Sequence, residues 1–193
     1  MKWLPFLLGI VLLAYPFAIY YGLNQWGIGV VAGVLALLFG LRLIASRRTR
    51  LRELKYMLRL ASAAGLALVL LAYLFKNTRW FTYYPVIINL LFFGLFFTSL
   101  WQKETIIERF ARLQDPDLPD YARRYTRNVT KIWCVFFIVN GTISLATSFM
   151  SLDIWTLYNG FISYVLMGLL FSLEFITRWY VKRKNVKRSD NGV

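Results

Sequence analysis

The chain has 193 residues, 59% of them hydrophobic and 18% aromatic, with 23 Lys+Arg against 9 Asp+Glu and a formal net charge of +14. A single cysteine, Cys134, and no histidine exclude an intrachain disulfide and the Ser-His and Cys-His nucleophile pairs, and leave a zinc site without its usual ligands. Such apolar content in a short chain points to a bilayer as solvent, so the charge must be read as a nucleic-acid, anionic-lipid or topology signal according to where it sits.

Spanning a bilayer takes about 20 mostly apolar residues. Six segments qualify, over residues 3–23, 27–45, 56–75, 80–101, 131–150 and 154–176. An all-α, polytopic bundle in a single transmembrane domain, residues 1–180, is therefore expected. The first segment follows Met1-Lys2 like a signal peptide, but its apolar run is long and no small-x-small cleavage site follows before Asn24, so it reads as a retained helix. An amphipathic cytoplasmic linker, 102–130, and a basic cytoplasmic tail, 181–193, complete the expected layout.

The cations separate cleanly. Arg42, Arg47, Arg48, Arg50, Arg52, Lys55 and Arg59 flank the linker between the second and third spans, and Lys103 to Lys131 carry the next cluster. Arg178 to Arg188 carry a third, whereas only Lys76 and Arg79 fall on the opposite side. The positive-inside rule then places both termini and both long linkers in the cytoplasm. Topology accounts for the charge, and no nucleic-acid partner is expected. The tryptophans Trp3, Trp26, Trp80, Trp101, Trp133, Trp155 and Trp179 all fall near predicted helix ends, as in an interfacial belt.

Small residues suggest how the helices pack. Gly29, Gly33, Ala36 and Gly40 share a face of the second span, and Ala61, Gly65, Leu68 and Ala72 follow the same rhythm in the third. Such stripes allow close backbone approach in lipid. They are expected to face each other, or one supports a homo-oligomer. Tyr15-Pro16 and Tyr84-Pro85 do not occupy corresponding positions, so no inverted repeat is read from them.

Polar groups gather in the last three spans. Pro85 and Asn89 share a face of the fourth, and a stripe through Trp133, Phe137, Asn140, Ser144, Thr147 and Ser151 marks the fifth. Another, through Asn159, Ser163, Met167, Leu170 and Glu174, marks the sixth. Amides in lipid must find partners, so Asn89 and Asn140 are expected to point inward. Pro85 should free a backbone carbonyl or kink its helix. Tyr84, Asn89, Asn140 and Asn159, with Tyr15, Tyr20, Tyr83 and Tyr158 nearby in depth, form a candidate pocket suited to a lipid-like or polyene molecule. The alternative is that these groups only glue helices together. Glu174, near the cytoplasmic end, is expected to pair with Arg178 or Arg42 rather than carry protons.

The segment from Gln102 to Thr130 is the most water-soluble. Ile106, Ile107, Phe110 and Leu113 follow helical spacing among charges, as in a helix lying on the membrane surface. Asp115-Pro116-Asp117-Leu118-Pro119 should break it, and Asp120 could cap a second helix. Arg123, Arg124 and Arg127 could dock anionic lipid headgroups or an acidic partner such as an acyl carrier protein; the alternative is topology signal alone. No P-loop, dinucleotide turn or paired catalytic acids are found, and Asp115, Asp117 and Asp120 resemble a metal cluster only loosely. No catalytic residue, metal or cofactor is expected.

Several runs carry a family resemblance. They are Tyr84-Pro-Val-Ile-Ile-Asn89, Glu108-Arg-Phe-Ala-Arg112, Asp117-Leu-Pro119, Arg124-Tyr-Thr-Arg127, Trp133-Cys-Val-Phe-Phe-Ile-Val-Asn-Gly141 and Trp155-Thr-Leu-Tyr-Asn-Gly160. The chain in this respect resembles an uncharacterised family of small bacterial inner-membrane proteins. Its members are often encoded with acyl carrier proteins, ketosynthases and dehydratases of aryl polyene pigment clusters. More distantly, the layout resembles the intracellular septation protein A family. The similarity covers mainly residues 80–175, and the first 75 match in hydropathy more than in motif. It implies a lipid or polyene context and supplies no catalytic residue. Three readings follow: a non-enzymatic protein handling or translocating an acyl-chain product; a scaffold recruiting acidic partners such as an acyl carrier protein or biosynthetic enzymes; and a membrane acyl- or glycosyltransferase using Glu174 or Asp120 as base.

Overall fold

The computed structural model describes residues 14–48, 52–112 and 118–190. Most of the first predicted span, the proline-containing break over 113–117 and the last residues of the tail lie outside them. The described residues are mainly helical and contain no strand. The helices are α1 (Tyr15–Ala45), α2 (Arg52–Leu74), the single turn α3 (Arg79–Thr82), α4 (Tyr84–Ser99), α5 (Ile106–Arg112), α6 (Asp120–Thr147), α7 (Leu152–Leu157) and α8 (Ser163–Asp190). A π-turn, Tyr158–Ile162, joins α7 to α8. Among the described residues, five helical stretches are long and apolar enough to cross a membrane: Tyr15–Ala45, Lys55–Leu74, Arg79–Ser99, Tyr121–Thr147 and Leu152–Val181.

The first of these is not straight. At Gly27 the backbone adopts φ 75° and ψ 176°, a region open essentially to glycine alone. The chain reverses there. The rings of Tyr15 and Phe39, far apart on any continuous helix, lie 6.3 Å apart, and a Cβ on Gly22 would come within 2.8 Å of Val31. The reversal sits at Gly27, just past the gap expected between the first two spans at residues 24–26, because helix persists to Trp26.

Other expected boundaries also move. The linker helix beyond Pro119 is not a separate element: α6 runs unbroken from Asp120 into the fifth predicted span. Pro119, in extended conformation, takes the N-cap position expected for Asp120. Proline suits this end because its missing N–H is not needed there. The sixth span continues far past residue 176, to Asp190.

Two apolar clusters organise the interior. One joins Tyr15, Ile19, Val31, Leu35 and Phe39 of α1 to Leu68, Val69 and Ala72 of α2, and to Phe81, Tyr84 and Trp155. The other joins Phe96 of α4 and Ile106 of α5 to Val129, Trp133, Cys134 and Phe137 of α6. Trp133 and Trp155 are buried core residues, not members of a surface belt. The small-residue stripes do not face each other. Gly65 lies against the Phe39 ring, whereas a Cβ on Gly29, Gly33 or Gly40 would meet nothing within 4 Å. α2 therefore receives the large-residue face of α1, and Gly29, Gly33 and Gly40 look away from it.

Pro85 explains the interruption between α3 and α4. It has no N–H to return to the carbonyl of Phe81, four residues back. That carbonyl instead accepts from the Tyr15 hydroxyl at 2.9 Å. The next carbonyl, of Thr82, accepts from the Trp155 indole N–H at 3.0 Å and the Ser148 hydroxyl at 3.1 Å. An apolar interior makes unpaired carbonyls expensive, so the break recruits donors from α1, the α6 C-terminus and α7. These bonds fix the position of Tyr84, the first residue of α4.

Candidate functional site

Where the clusters meet, α1, α4, α6 and α8 leave a cavity of about 230 Å³. Tyr84, Asn89, Asn140 and Asn159 all line it. Pro16, Ile88, Phe92, Phe137 and Met167 supply much of the apolar wall. The exterior of the same helices is densely apolar, with Leu90, Phe97, Val135, Val139, Phe161 and Leu169 all exposed.

The polar residues form two hydrogen-bonded groups, one through Asn89 and Asn140 and one around Asn159. Asn140 Nδ2 donates to Asn89 Oδ1 at 3.0 Å, and Asn89 Nδ2 donates to the Pro85 carbonyl at 2.9 Å. The Tyr158 hydroxyl donates to Asn140 Oδ1 at 2.9 Å. Asn159 Nδ2 donates to the Trp155 carbonyl at 3.0 Å and to Thr147 Oγ1 at 3.1 Å. Asn89 and Asn140 thus spend much of their bonding capacity on protein groups, each fixing the other's rotamer. Helix-to-helix attachment and cavity lining are both visible in the same side chains.

Asn159 owes its place to the π-turn. The Ser163 N–H reaches back to the Tyr158 carbonyl, five residues away, instead of four. Such single π-turns are frequent at functional sites because they displace a side chain without ending the helix. Gly160 sits where the turn meets α1: a Cβ there would lie 3.0 Å from the Phe17 ring and 3.3 Å from Pro16.

Sequence reasoning did not place Arg42 in this site. Its guanidinium lines the cavity and donates to the Tyr84 hydroxyl at 2.7 Å. The Tyr84 ring is also held 4.7 Å from that of Tyr15 and 5.0 Å from that of Phe39. The signal was available: Arg42 falls inside the second predicted span, and a cation at that depth marks a functional candidate by default. Counting it with the linker arginines concealed this. Tyr164 also lines the cavity without having been singled out.

Glu174 pairs neither with Arg42 nor with Arg178 among the described residues. It faces Tyr125, whose hydroxyl donates to the Glu174 carbonyl at 3.0 Å. The arginines proposed for docking are dispersed. Arg123 Nε lies 3.3 Å from Glu108, a nearly buried carboxylate that also holds Arg112 at 2.9 Å. Arg127 donates to the Leu100 carbonyl at 2.7 Å. Arg124 lines a shallow depression with Tyr121, Tyr125 and Asn128. The linker helix α5 accordingly packs on α6 with Ile106, Glu108 and Ala111 buried, so its buried face carries a charge as well as apolar groups. Asp115 and Asp117 lie outside the described residues.

The described residues form an all-helical arrangement with five stretches suited to a membrane and, among them, a mainly apolar cavity with a few convergent polar groups. No family model, curated protein or solved structure matches the chain.

Proposed function

We propose that the chain is a bacterial inner-membrane protein whose cavity holds one end of an acyl-chain or lipid-like molecule, which the protein handles or carries across the membrane. The observation that carries this reading is the cavity itself: apolar walls, a few convergent polar groups and an apolar exterior that a bilayer would cover. The reversal at Gly27 supports reading Tyr15–Ala45 as parts of two passes, and six spans with both ends in the cytoplasm agree with the distribution of Lys and Arg. A polyene product is the particular cargo suggested by the sequence resemblance.

Mass spectrometry of molecules retained through purification in mild detergent tests the proposal. A defined acyl or polyene species is expected with the native protein, and its loss with Ser163→Trp, which fills the cavity. Retention of that species by a folded Ser163→Trp variant, or recovery of bulk phospholipid alone from both, overturns it. Recovery of a stoichiometric soluble protein would instead favour docking on the cytoplasmic face, where Arg124 with Tyr121 and Tyr125 forms the available depression.

A further inference from the structure

Arg42 gives the cavity a pole. It lies in the last turn of its helical stretch, where a cation commonly offsets the helix dipole and its last carbonyls. Its guanidinium does neither by contact: it reaches across to Tyr84 on α4. Among the described residues no carboxylate lines the cavity and Arg42 forms no ion pair. A guanidinium offers five N–H donors, and the bond to Tyr84 uses one of them.

The neighbours do not supply the missing acceptors. The Ser163 and Tyr164 side chains line the same cavity, and neither hydroxyl has a hydrogen-bond partner among the described residues. Asn89 and Asn140, by contrast, each spend one amide N–H on another protein group. Free donors and a positive charge therefore collect around Arg42, Tyr84 and Tyr164, facing walls that are otherwise carbon. A cation in such surroundings is stabilised by an anion that accepts several hydrogen bonds at once.

Size narrows the class. Pockets that engulf a drug-sized ligand run to roughly 300–1,000 Å³, and this one holds about 230 Å³. It accommodates a headgroup and the carbons next to it, while a long chain must continue outward. The geometry points to a single-chain amphiphile with an anionic oxygen head, carboxylate or phosphate monoester, bound with that head on Arg42 and its tail directed into the bilayer. This assignment rests on the acyl-chain reading above and adds the polarity of the ligand.

Native mass spectrometry of the full chain in a non-ionic detergent, with hexadecanoate, hexadecanol and a C16 lysophosphatidate as competing probes, tests it. The anionic probes are expected to bind about tenfold to a hundredfold tighter than the alcohol, the range for charge-assisted hydrogen bonds. Arg42→Gln should abolish the preference, and Arg42→Lys, which keeps the charge without the fork, should retain part of it. The stronger of the two anions identifies a free acid or a phospholipid-derived source. Equal binding of hexadecanoate, lysophosphatidate and hexadecanol overturns the headgroup assignment while leaving the acyl-chain reading standing. Failure of all three to bind removes both. Should Arg42→Gln not fold, the comparison of acid with alcohol on the native protein still decides.

Discussion

Asn140 and Asn89, on facing helices, meet amide to amide at 3.0 Å, and the Tyr158 hydroxyl donates to Asn140 Oδ1 at 2.9 Å. Replacing Asn140 by Leu leaves both Asn89 Oδ1 and the Tyr158 hydroxyl without that partner. A loss of about 1–3 kcal/mol is expected. Replacing Asn89 and Asn140 together by Leu should cost less than the sum of the single changes, with a coupling on the order of 0.6 kcal/mol. Unfolding titrations in mixed micelles measure the cycle; strict additivity would show that the contact contributes nothing.

The carbonyls freed by Pro85 are not equally supported. The Phe81 carbonyl takes one side-chain donor, Tyr15, whereas the Thr82 carbonyl takes two, Trp155 and Ser148. Tyr15→Phe should therefore destabilise by about 1–3 kcal/mol, and Ser148→Ala by roughly 1 kcal/mol or less. The same titrations rank the two, and the reverse order would contradict this account of the interruption.

Backbone geometry makes two opposite predictions. Gly27→Ala places a Cβ on φ 75°, ψ 176° and should cost about 1–3 kcal/mol. Lys76 ends α2 at φ 48°, with the Asn77 N–H returning to the Ala72 carbonyl at 3.1 Å in a Schellman-type cap. Lys76→Gly should relieve about 1 kcal/mol. Thermal scans of both variants should show shifts of opposite sign.

Glu108 ties α5 to α6 through Arg112 and Arg123. Glu108→Leu removes the carboxylate that both arginines share, while Arg112 keeps its pairing with Glu104 at 3.2 Å. Because both arginines are partly exposed, the cost is screened to roughly 1–3 kcal/mol. Limited proteolysis between residues 100 and 120 should accelerate in this variant and remain unchanged in Arg124→Gln. An unaltered cleavage rate in Glu108→Leu would separate the ion pairs from the docking of α5.

Much of the architecture is readable from apolar run length, because backbone satisfaction in an apolar medium leaves helices as the solution. The polar side chains were readable for the same reason: Asn89, Asn140 and Asn159 stand on inward helical stripes and line one cavity. What eluded pattern reasoning depends on distance between helices. Trp155 near a helix end looks interfacial until its indole is seen on the Thr82 carbonyl. The α1 glycines look like a packing stripe until Phe39, on another face, is found against Gly65. Arg42 counts as a topology signal until its side chain is followed to Tyr84.

The π-turn at Tyr158–Ile162 has a bearing on how such a chain can vary. On an uninterrupted α-helix, Trp155 and Met167 would stand roughly 120° apart; absorbing one extra residue brings them to within roughly 20°. Trp155 thereby stays in the apolar core while Met167 reaches the cavity. The turn behaves as an insertion whose flanks keep their phase. Deleting a single residue within it would leave both flanks facing as they do and withdraw only the widened loop that presents Asn159. Changes of length, rather than of side chain, are therefore the economical way to give or remove this wall of the cavity, and homologous chains with and without it should differ by one residue there.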